Sequence, residues 1–273
     1  MKILKNSLDF YINASIHVGL AVYAFVRITE IYFKLPYNKN VDYFIFYGTI
    51  TGYNFVKYAD VAKLHHKRLT KNLKMIQVFS LFSFFAMCYY GYLIDFKTLL
   101  FSIPFALATV LYAVPFLNGF TKNLRELSSL KIGVVAFVWM GFTAIIPLFD
   151  AGKEFSVPIF LYAVQRFLVV LVLILPFDIR DVQFDAISLQ TIPKKIGVEK
   201  TKKLGVGILV FTLVLEFMSS TAITNKSPFM LFFFLLIMFL MRAKINQSKY
   251  YSSFWVESLP IVWWLIILGF DNF

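Results

Sequence analysis

The chain carries little charge and almost no cysteine. Only 15% of its 273 residues are charged, the acids number 15 against 27 lysines and arginines, and there is one cysteine. A single cysteine excludes an intrachain disulfide. Hydrophobic residues instead make up 59% of the chain, with 33 phenylalanines, and the mean hydropathy is +0.73. A soluble domain could not bury so much apolar surface, so the composition predicts a multispanning membrane protein.

Apolar runs long enough to form a helix across a hydrocarbon core of about 30 Å occur nine times. Residues typical of turns, such as Asn118-Gly119 and Pro228, separate them. We therefore predict an all-α, polytopic protein with nine transmembrane helices. The predicted spans lie near 9–33, 41–58, 75–94, 97–117, 131–149, 156–178, 203–222, 227–242 and 254–270.

Positive charge is concentrated on one side of this predicted bundle. If the nine spans alternate in direction, the side opposite the amino terminus carries only Lys34, Lys39, Lys97, Lys153 and Lys226. The positive-inside rule then predicts a cytoplasmic amino terminus, and we expect a bacterial inner membrane. Orientation and attraction to anionic lipid account for the net charge of +12, so no nucleic-acid partner is predicted.

Three aspartates follow the sixth apolar run. Asp178, Asp181 and Asp185 are spaced i, i+3 and i+7, so a continuous helix would place them on one face. Carboxylates this close repel one another unless cations sit between them, and oxygen ligands favour Mg2+ together with phosphates. The alternative is a solvated acidic helix end. At a membrane boundary rich in lysine, the metal site is the favoured interpretation.

The same segment resembles the second aspartate motif of the UbiA superfamily of intramembrane aromatic prenyltransferases. In that family the motif binds Mg2+ and an isoprenyl diphosphate, and nine helices surround a central cavity, with motifs after helices 2 and 6. The resemblance implies the same fold and ligands here. The residues that carry it are Asp178, Ile179, Arg180, Asp181 and Asp185, followed by Thr191, Pro193 and Gly197.

An internal repeat is consistent with that layout. The two largest basic loops follow helices 2 and 6, and each contains a basic pair, Lys67-Arg68 and Lys194-Lys195. Duplicated halves that face each other would bring both loops to one cavity. We predict a single transmembrane domain over residues 1–273, with two pseudo-repeated four-helix parts at about 9–117 and 131–242 and a last helix at 254–270.

The first motif departs from the family pattern, which is Asn-Asp-x-x-Asp-x-x-x-Asp. Asn54 is retained, but Phe55, Tyr58 and Ala62 stand where the acids belong, and Asp60 is out of register. On a continuous helix the face of Asn54 carries an ammonium and a phenol in place of carboxylates. This pattern does not resemble a metal site with two acids.

Lys57 lies one helical turn after Asn54. An ammonium group can bind phosphate as a point charge, so one hypothesis is that Lys57 replaces a metal ion, with Arg68 beside it and the second motif opposite. The alternative is that Lys57 extends to the interface as an ordinary lysine at a helix end. Both interpretations stay open on sequence alone.

The predicted site combines both motifs with nearby polar residues. Tyr112 and Pro115 resemble the Tyr-Ser-x-Pro at the end of the family's fourth helix. Asn13 and His17 form a polar stripe on the first helix, which either lines a cavity or makes hydrogen bonds to another helix. The predicted catalytic residues are Asp178, Asp181, Asp185 and Asn54, of which the three aspartates are the metal ligands. The predicted substrate-binding residues are Lys57, Arg68, Arg180, Tyr112, Lys194 and Asn13.

The function that these features favour is Mg2+-dependent transfer of an isoprenyl group from its diphosphate to a hydrophobic acceptor at the cytoplasmic face. The loss of first-motif acids favours a rival, a non-catalytic descendant that binds a polyprenyl lipid or scaffolds a partner. A UbiA-type terpene cyclase or a hydrolase is a further alternative. Two charges at similar depth in the membrane, Arg166 and Glu216, are also expected to pair or else to face a polar cavity, with Arg27 and Glu30 as a competing pair.

Overall fold

The computed structural model describes residues 2–62, 71–113, 131–183, 191–219, 221 and 225–271. Every regular element in these ranges is helical, so the predicted all-α class is confirmed. The helices are α1 (Lys2–Asn13), α2 (Ile16–Phe33), α3 (Lys39–Ala62), α4 (Lys71–Leu93), α5 (Phe96–Ala113), α6 (Lys131–Met140), α7 (Ile146–Asp150), α8 (Val157–Asp181), α9 (Ile192–Ile196), α10 (Val198–Met218), α11 (Ser227–Arg242) and α12 (Leu259–Asp271). Two π-helical turns, Gly141–Ile145 and Tyr251–Val256, precede α7 and α12.

Within the described ranges, six helical segments are long and apolar enough to cross a membrane. α11 is apolar but shorter, and α3 and α10 are not among the six. The count of nine transmembrane helices therefore stays a prediction. The six segments are Ile16–Phe33, Leu73–Leu93, Phe96–Ala113, Lys131–Asp150, Val157–Asp181 and Tyr251–Phe270.

The first predicted span, 9–33, is not one helix. α1 ends at Asn13 and α2 begins at Ile16, and between them Ser15 adopts a left-handed conformation with φ of 61°. A non-glycine residue rarely takes this conformation unless its surroundings hold it there. Those surroundings are side chains of α3. We call residues 12–15 the helix break.

α2 lies at the centre of the bundle. It packs against α3, α12 and the first π-helical turn, and 67% of its span is buried inside the protein, against 17% for α4. Phe25 of α2 packs edge to face on Trp263 of α12, which stacks on Phe232 of α11 at 4.5 Å. These aromatic contacts bury a large apolar area, so α2 is the scaffold on which the other helices are arranged.

The π-helical turn at Gly141 has a packing cause. A Cβ atom at Gly141 would lie 2.2 Å from the ring of Phe105 in α5, so only glycine allows the two helices to approach this closely. Within the turn, the Thr143 carbonyl accepts a hydrogen bond from Thr29 Oγ1 at 2.5 Å. The irregular helix therefore joins α5 and the central helix α2.

Among the described residues, Arg166 and Glu216 do not form a direct ion pair within 4.0 Å. Arg166 lies over the Phe25 ring at 4.0 Å and donates to the hydroxyl of Tyr162, whereas Glu216 forms its ion pair with Lys226, at 3.1 Å. Lys226 stands just before α11, and from there it supplies the positive charge that Glu216 requires when it is buried. The competing pair, Arg27 with Glu30, is formed.

Candidate functional site

The second motif lies at the carboxyl end of α8, a helix of 25 residues. Asp178 is only 2% exposed, and its Oδ1 accepts a hydrogen bond from Lys131 Nζ at 2.9 Å. Lys131 is the first residue of α6. A buried carboxylate requires a cation or several donors, and at this position a neighbouring helix supplies the cation.

Asp181 lies one turn later and is half-buried. Arg180 Nε and Nη2 donate to its two carboxylate oxygens at 2.8 and 3.3 Å. Arg180 Nη1 also donates to Ser253 Oγ at 3.1 Å, which connects the motif to the π-helical turn before α12. The Pro176 carbonyl accepts from Gln247 Nε2 at 2.9 Å. The end of α8 is therefore fixed against the segment that precedes the last helix.

The carboxylates of the second motif are of the chemical type that binds Mg2+. Asp178 and Asp181 are three residues apart on a continuous helix, so they share a face as predicted, and carboxylate oxygens are the ligands that Mg2+ prefers. Asp185, the third predicted ligand, lies outside the described residues. In the described part of the chain no group of three His, Cys, Asp or Glu side chains is close enough to hold a metal ion.

The first motif faces the helix break. Asn54, Lys57 and Tyr58 share one face of α3, as predicted, and each donates to a backbone carbonyl of residues 12–14. Ser15 Oγ also donates a hydrogen bond to Asn54 Oδ1 at 2.8 Å and accepts one from Lys57 Nζ at 2.9 Å. The carbonyl bonds measure 3.1 Å from Asn54 Nδ2 to Ala14, 3.4 Å from Lys57 Nζ to Ile12 and 3.1 Å from the Tyr58 hydroxyl to Asn13.

These contacts explain the residue types of the first motif. An interrupted helix leaves carbonyl oxygens without intrahelical partners, and side-chain donors can satisfy them. Amide, ammonium and phenol groups donate hydrogen bonds, whereas an ionised carboxylate only accepts them. An aspartate at position 58 would therefore place a second acceptor against the Asn13 carbonyl. This face of α3 supports the helix break in the structure.

Glu257 is a charged residue that the sequence analysis did not select. It is half-buried beside the start of α12, and the positive charges of Lys57 in the first motif and Arg180 in the second act on it. The signal that could have identified it is an acid at the edge of an apolar span, which is costly without a partner. Lys131, which contacts Asp178, was not selected from the sequence either.

The other predicted site residues lie on several helices. Asn13 has an exposed side chain, while His17 is buried and bonds to the hydroxyl of Tyr11 at 2.8 Å and to the Phe254 carbonyl at 2.9 Å. Tyr112 is buried near the end of α5, and Lys194 is half-buried in α9. Arg68 lies outside the described residues. Their roles in binding stay predictions.

The fold of this bundle is that of known membrane proteins. A structure of a UbiA homolog from Archaeoglobus fulgidus bound to GPP and Mg2+ superimposes with a TM-score of 0.58 over 97% of this chain and 100% of that chain, at 14% identity. The same kind of homolog bound to DMAPP and Mg2+ gives 0.50 over 95% and 93%, at 14% identity. A further structure of a UbiA homolog from that organism gives 0.57 over 97% and 100%, at 11% identity.

The structural comparison therefore identifies the class of the protein and its fold. It is an all-α integral membrane protein with several apolar spanning helices, and its fold is UbiA-like. Sequence comparison is negative, since no protein-family model matches the chain and no curated protein matches it. The predicted UbiA-like fold is confirmed.

Proposed function

We propose that the protein is a member of the UbiA superfamily that transfers an isoprenyl group from an isoprenyl diphosphate to a hydrophobic acceptor. The observation that carries this proposal is the pair of carboxylates, Asp178 and Asp181, on one face at the end of α8 in a UbiA-like fold. Its support is that structures of similar fold hold GPP or DMAPP together with Mg2+.

Asp178, Asp181 and Asp185 would hold Mg2+ in this proposal. The bound ion supplies positive charge for the diphosphate that leaves the isoprenyl group. Lys131 and Arg180 form ion pairs with the two described carboxylates. Lys131 and Arg180 are also phosphate-binding residue types, so they would be able to donate hydrogen bonds to a diphosphate held beside the aspartates.

The opposite side of the diphosphate is assigned to Lys57, with Arg68 and Lys194. Lys57 donates to Ser15 Oγ at 2.9 Å and to the Ile12 carbonyl at 3.4 Å. The Trp139 indole donates to the Tyr53 hydroxyl at 2.8 Å, joining α6 to α3 with two aromatic rings. Aromatic faces stabilise a developing allylic cation and keep water away from it.

The proposal also includes location and organisation. The end of the bundle that carries Asp178 is assigned to the cytoplasmic side, as is the amino terminus, because the basic loops follow α3 and α8. The membrane is the bacterial inner membrane, and the two pseudo-repeated four-helix parts each contribute one side of the site.

One observation favours a second candidate, a non-catalytic lipid-binding descendant. The polar side chains of the first motif are already bonded to the helix break, so they support structure even if nothing binds. In that case a polyprenyl lipid would occupy the bundle without losing its diphosphate. A terpene cyclase would ionise the same diphosphate, but its allylic cation would react within the isoprenyl chain and not with an external acceptor.

The deciding experiment is incubation of purified protein in detergent micelles with Mg2+ and radiolabelled isoprenyl diphosphates. Diphosphate release and the labelled isoprenyl product are both measured, with membrane lipid extract as the source of acceptor. Mg2+-dependent release with label on an acceptor supports the transferase, and a cyclic hydrocarbon indicates the cyclase. Binding without release indicates the lipid-binding descendant, and the absence of binding refutes the proposal. Asp181→Asn is the inactive control.

A further inference from the structure

A second cluster of charged side chains lies at the end of the bundle opposite to the aspartate motif. The helical run Lys131–Asp150 begins beside Asp178, and Asp150 at its other end bonds to the segment before α3. Glu30, near the carboxyl end of α2, and Asp42, in the first turn of α3, belong to this second end. They take no part in the candidate site.

Glu30 and Asp42 contact the same guanidinium nitrogen. Arg27 Nη1 donates to Glu30 Oε2, one turn later in α2, and it lies 3.5 Å from Asp42 Oδ2. The Arg27 guanidinium also lies over the Tyr37 ring, 4.4 Å from its centroid. Two neighbouring carboxyl groups therefore share one cation.

Both acids are removed from water. Glu30 is 5% exposed and Asp42 is 0% exposed. Among the described residues, Asp42 Oδ1 is buried and has no hydrogen-bond partner. A buried carboxylate oxygen that nothing contacts is costly. The pair therefore has an unfilled acceptor as well as one negative charge more than Arg27 balances.

Within the described ranges, no second cation contacts this pair. Lys34 and Lys39 flank the connection between α2 and α3, but both are exposed, and neither forms an ion pair with Glu30 or Asp42 within 4.0 Å. Two like charges beside a single cation and out of water cannot both ionise easily. The excess charge has to be removed by something that binds there.

The other ionisable groups at this end supply no positive charge. Asn38 joins Asp42 to a further acid, because its carbonyl accepts the Asp42 N–H at 3.1 Å and its amide donates to Asp150 Oδ2 at 2.8 Å. A third carboxylate makes the surroundings more negative. The remaining groups are tyrosines, which are neutral at neutral pH, and they are Tyr23, Tyr37 and Tyr43.

We propose that Glu30 and Asp42 share one bound proton near neutral pH and so form a proton-binding site that joins α2 to α3. The proton adds to one carboxylate oxygen, and the acid pair together with Arg27 then has no net charge. A proton needs no cavity, and the O–H that it forms is a donor in a cluster that has an unfilled acceptor. In the proposed orientation this site faces the outer side of the membrane, so its occupancy follows the acidity outside the cell.

The test is the pH dependence of reversible unfolding in mixed micelles. Above pH ~5 the carboxyl groups of an unfolded chain are ionised, so the folded pair binds one proton more than the unfolded chain. The parent should therefore lose stability as the pH rises, with an unfolding constant that increases about tenfold per pH unit until the folded pair also ionises. Asp42→Asn and Glu30→Gln, which each replace the protonated acid with a neutral amide, should both remove this dependence.

A direct measurement of the proton is the infrared absorption of a protonated carboxyl group. We expect this band in the parent near neutral pH and its loss in both single variants. Glu154→Gln, which removes an exposed acid, is the matched control and should keep both the band and the pH dependence. The double variant of Glu30→Gln with Asp42→Asn should melt below either single variant, because Arg27 then has no counter-charge.

The results are read without any diphosphate, so they are decided separately from the proposed function. A protonated-carboxyl band that is lost in the single variants supports the site even if one of those variants unfolds too readily for the pH series. Single variants that keep both the parent's band and its pH dependence overturn the inference, because the two acids are then both ionised in the folded protein.

Discussion

The two sides of the candidate site use opposite hydrogen-bonding chemistry. On α8, Asp178 and Asp181 are acceptors that the protein neutralises with Lys131 and Arg180. On α3, the polar groups are donors, and the protein satisfies them with backbone carbonyls of the helix break. Carboxylates paired with cations can exchange those cations for a metal ion, whereas donors bonded to carbonyls maintain a backbone conformation. Binding of metal should therefore depend on α8, and the stability of the bundle on α3.

The largest expected effect is on the α8 side. Replacing Asp181 with Ala should reduce Mg2+-dependent binding of isoprenyl diphosphate on the order of 100-fold, because a ligand that contributes charged contacts is worth up to about 3 kcal/mol. Since Asp181 is half-buried, the protein should still insert and unfold at nearly the parent temperature. The control is Glu154→Ala, an exposed acid well separated from the motif in sequence. Unchanged affinity in the Asp181 variant would remove the basis of the metal site.

The next effect is on the α3 side and concerns folding. Asn54 is 3% exposed and bonds to both Ser15 and the Ala14 carbonyl. Asn54→Ala should lower the free energy of unfolding by about 2 kcal/mol, because it leaves buried partners unsatisfied. Tyr58→Phe removes a single, more exposed bond and should cost less than half as much. Thermal unfolding followed by tryptophan fluorescence measures both. A stable Asn54→Ala protein that has lost diphosphate binding would reverse the assignment of roles.

The sequence predicted the α8 side better than the α3 side. The spacing of Asp178 and Asp181, and their position at the end of an apolar helix, are local features that periodicity reveals. The helix break is not local, because residues 12–15 are stabilised by side chains that lie about 40 positions away. Apolar composition continues through the break, so the pattern predicted one helix from 9 to 33. The ion pair of Glu216 with Lys226 was also missed, although the two residues are only ten positions apart in the chain.

A smaller effect tests the packing that positions the second motif. A Cβ atom at Gly205 of α10 would lie 2.8 Å from Leu175, one turn before Asp178 in α8, and 2.5 Å from Leu240. Gly205→Ala should therefore lower the free energy of unfolding by roughly 1 to 2 kcal/mol, despite the better helix propensity of alanine. Gly207 has no atom within 4 Å of the equivalent position, so Gly207→Ala should be neutral or stabilising. Equal melting temperatures for the two variants would contradict this packing.

The smallest effect concerns α1, which lies before the first apolar span. Hydrogen bonds from Lys249 and Tyr250 lower the pKa of Asp9 below its ordinary value of 3.8. A lowered pKa stabilises the fold above pH 3.8, and this contribution is lost as the pH falls through the folded-state pKa. Asp9→Asn should therefore cost less than about 1 kcal/mol at neutral pH, since the pair is solvent-exposed, and nothing at low pH. The comparison is a set of melting curves across pH. A deficit that persists at low pH would contradict this origin.

The last predicted span, like the helix break, has tertiary contacts that the sequence did not predict. The Phe-rich segments predicted apolar contacts, and Phe232 does stack on Trp263 in the core. The side chains near Glu257, however, come from α3 and α8, and no pattern within residues 254–270 specifies them. An acid in a span predicts that some partner exists. Which partner it is depends on tertiary packing.

The most direct test of the central claim is diphosphate affinity in Lys57→Met and Lys57→Asp proteins over a Mg2+ titration, with Tyr58→Phe as a control that removes one bond to the helix break. The account predicts that Met weakens binding at saturating Mg2+, because the ammonium group is lost, and that Asp regains part of the affinity only as Mg2+ is added. A Lys57→Met protein that binds diphosphate like the parent at every Mg2+ concentration would show that the first motif holds only the helix break, and would contradict a site shared between the two motifs.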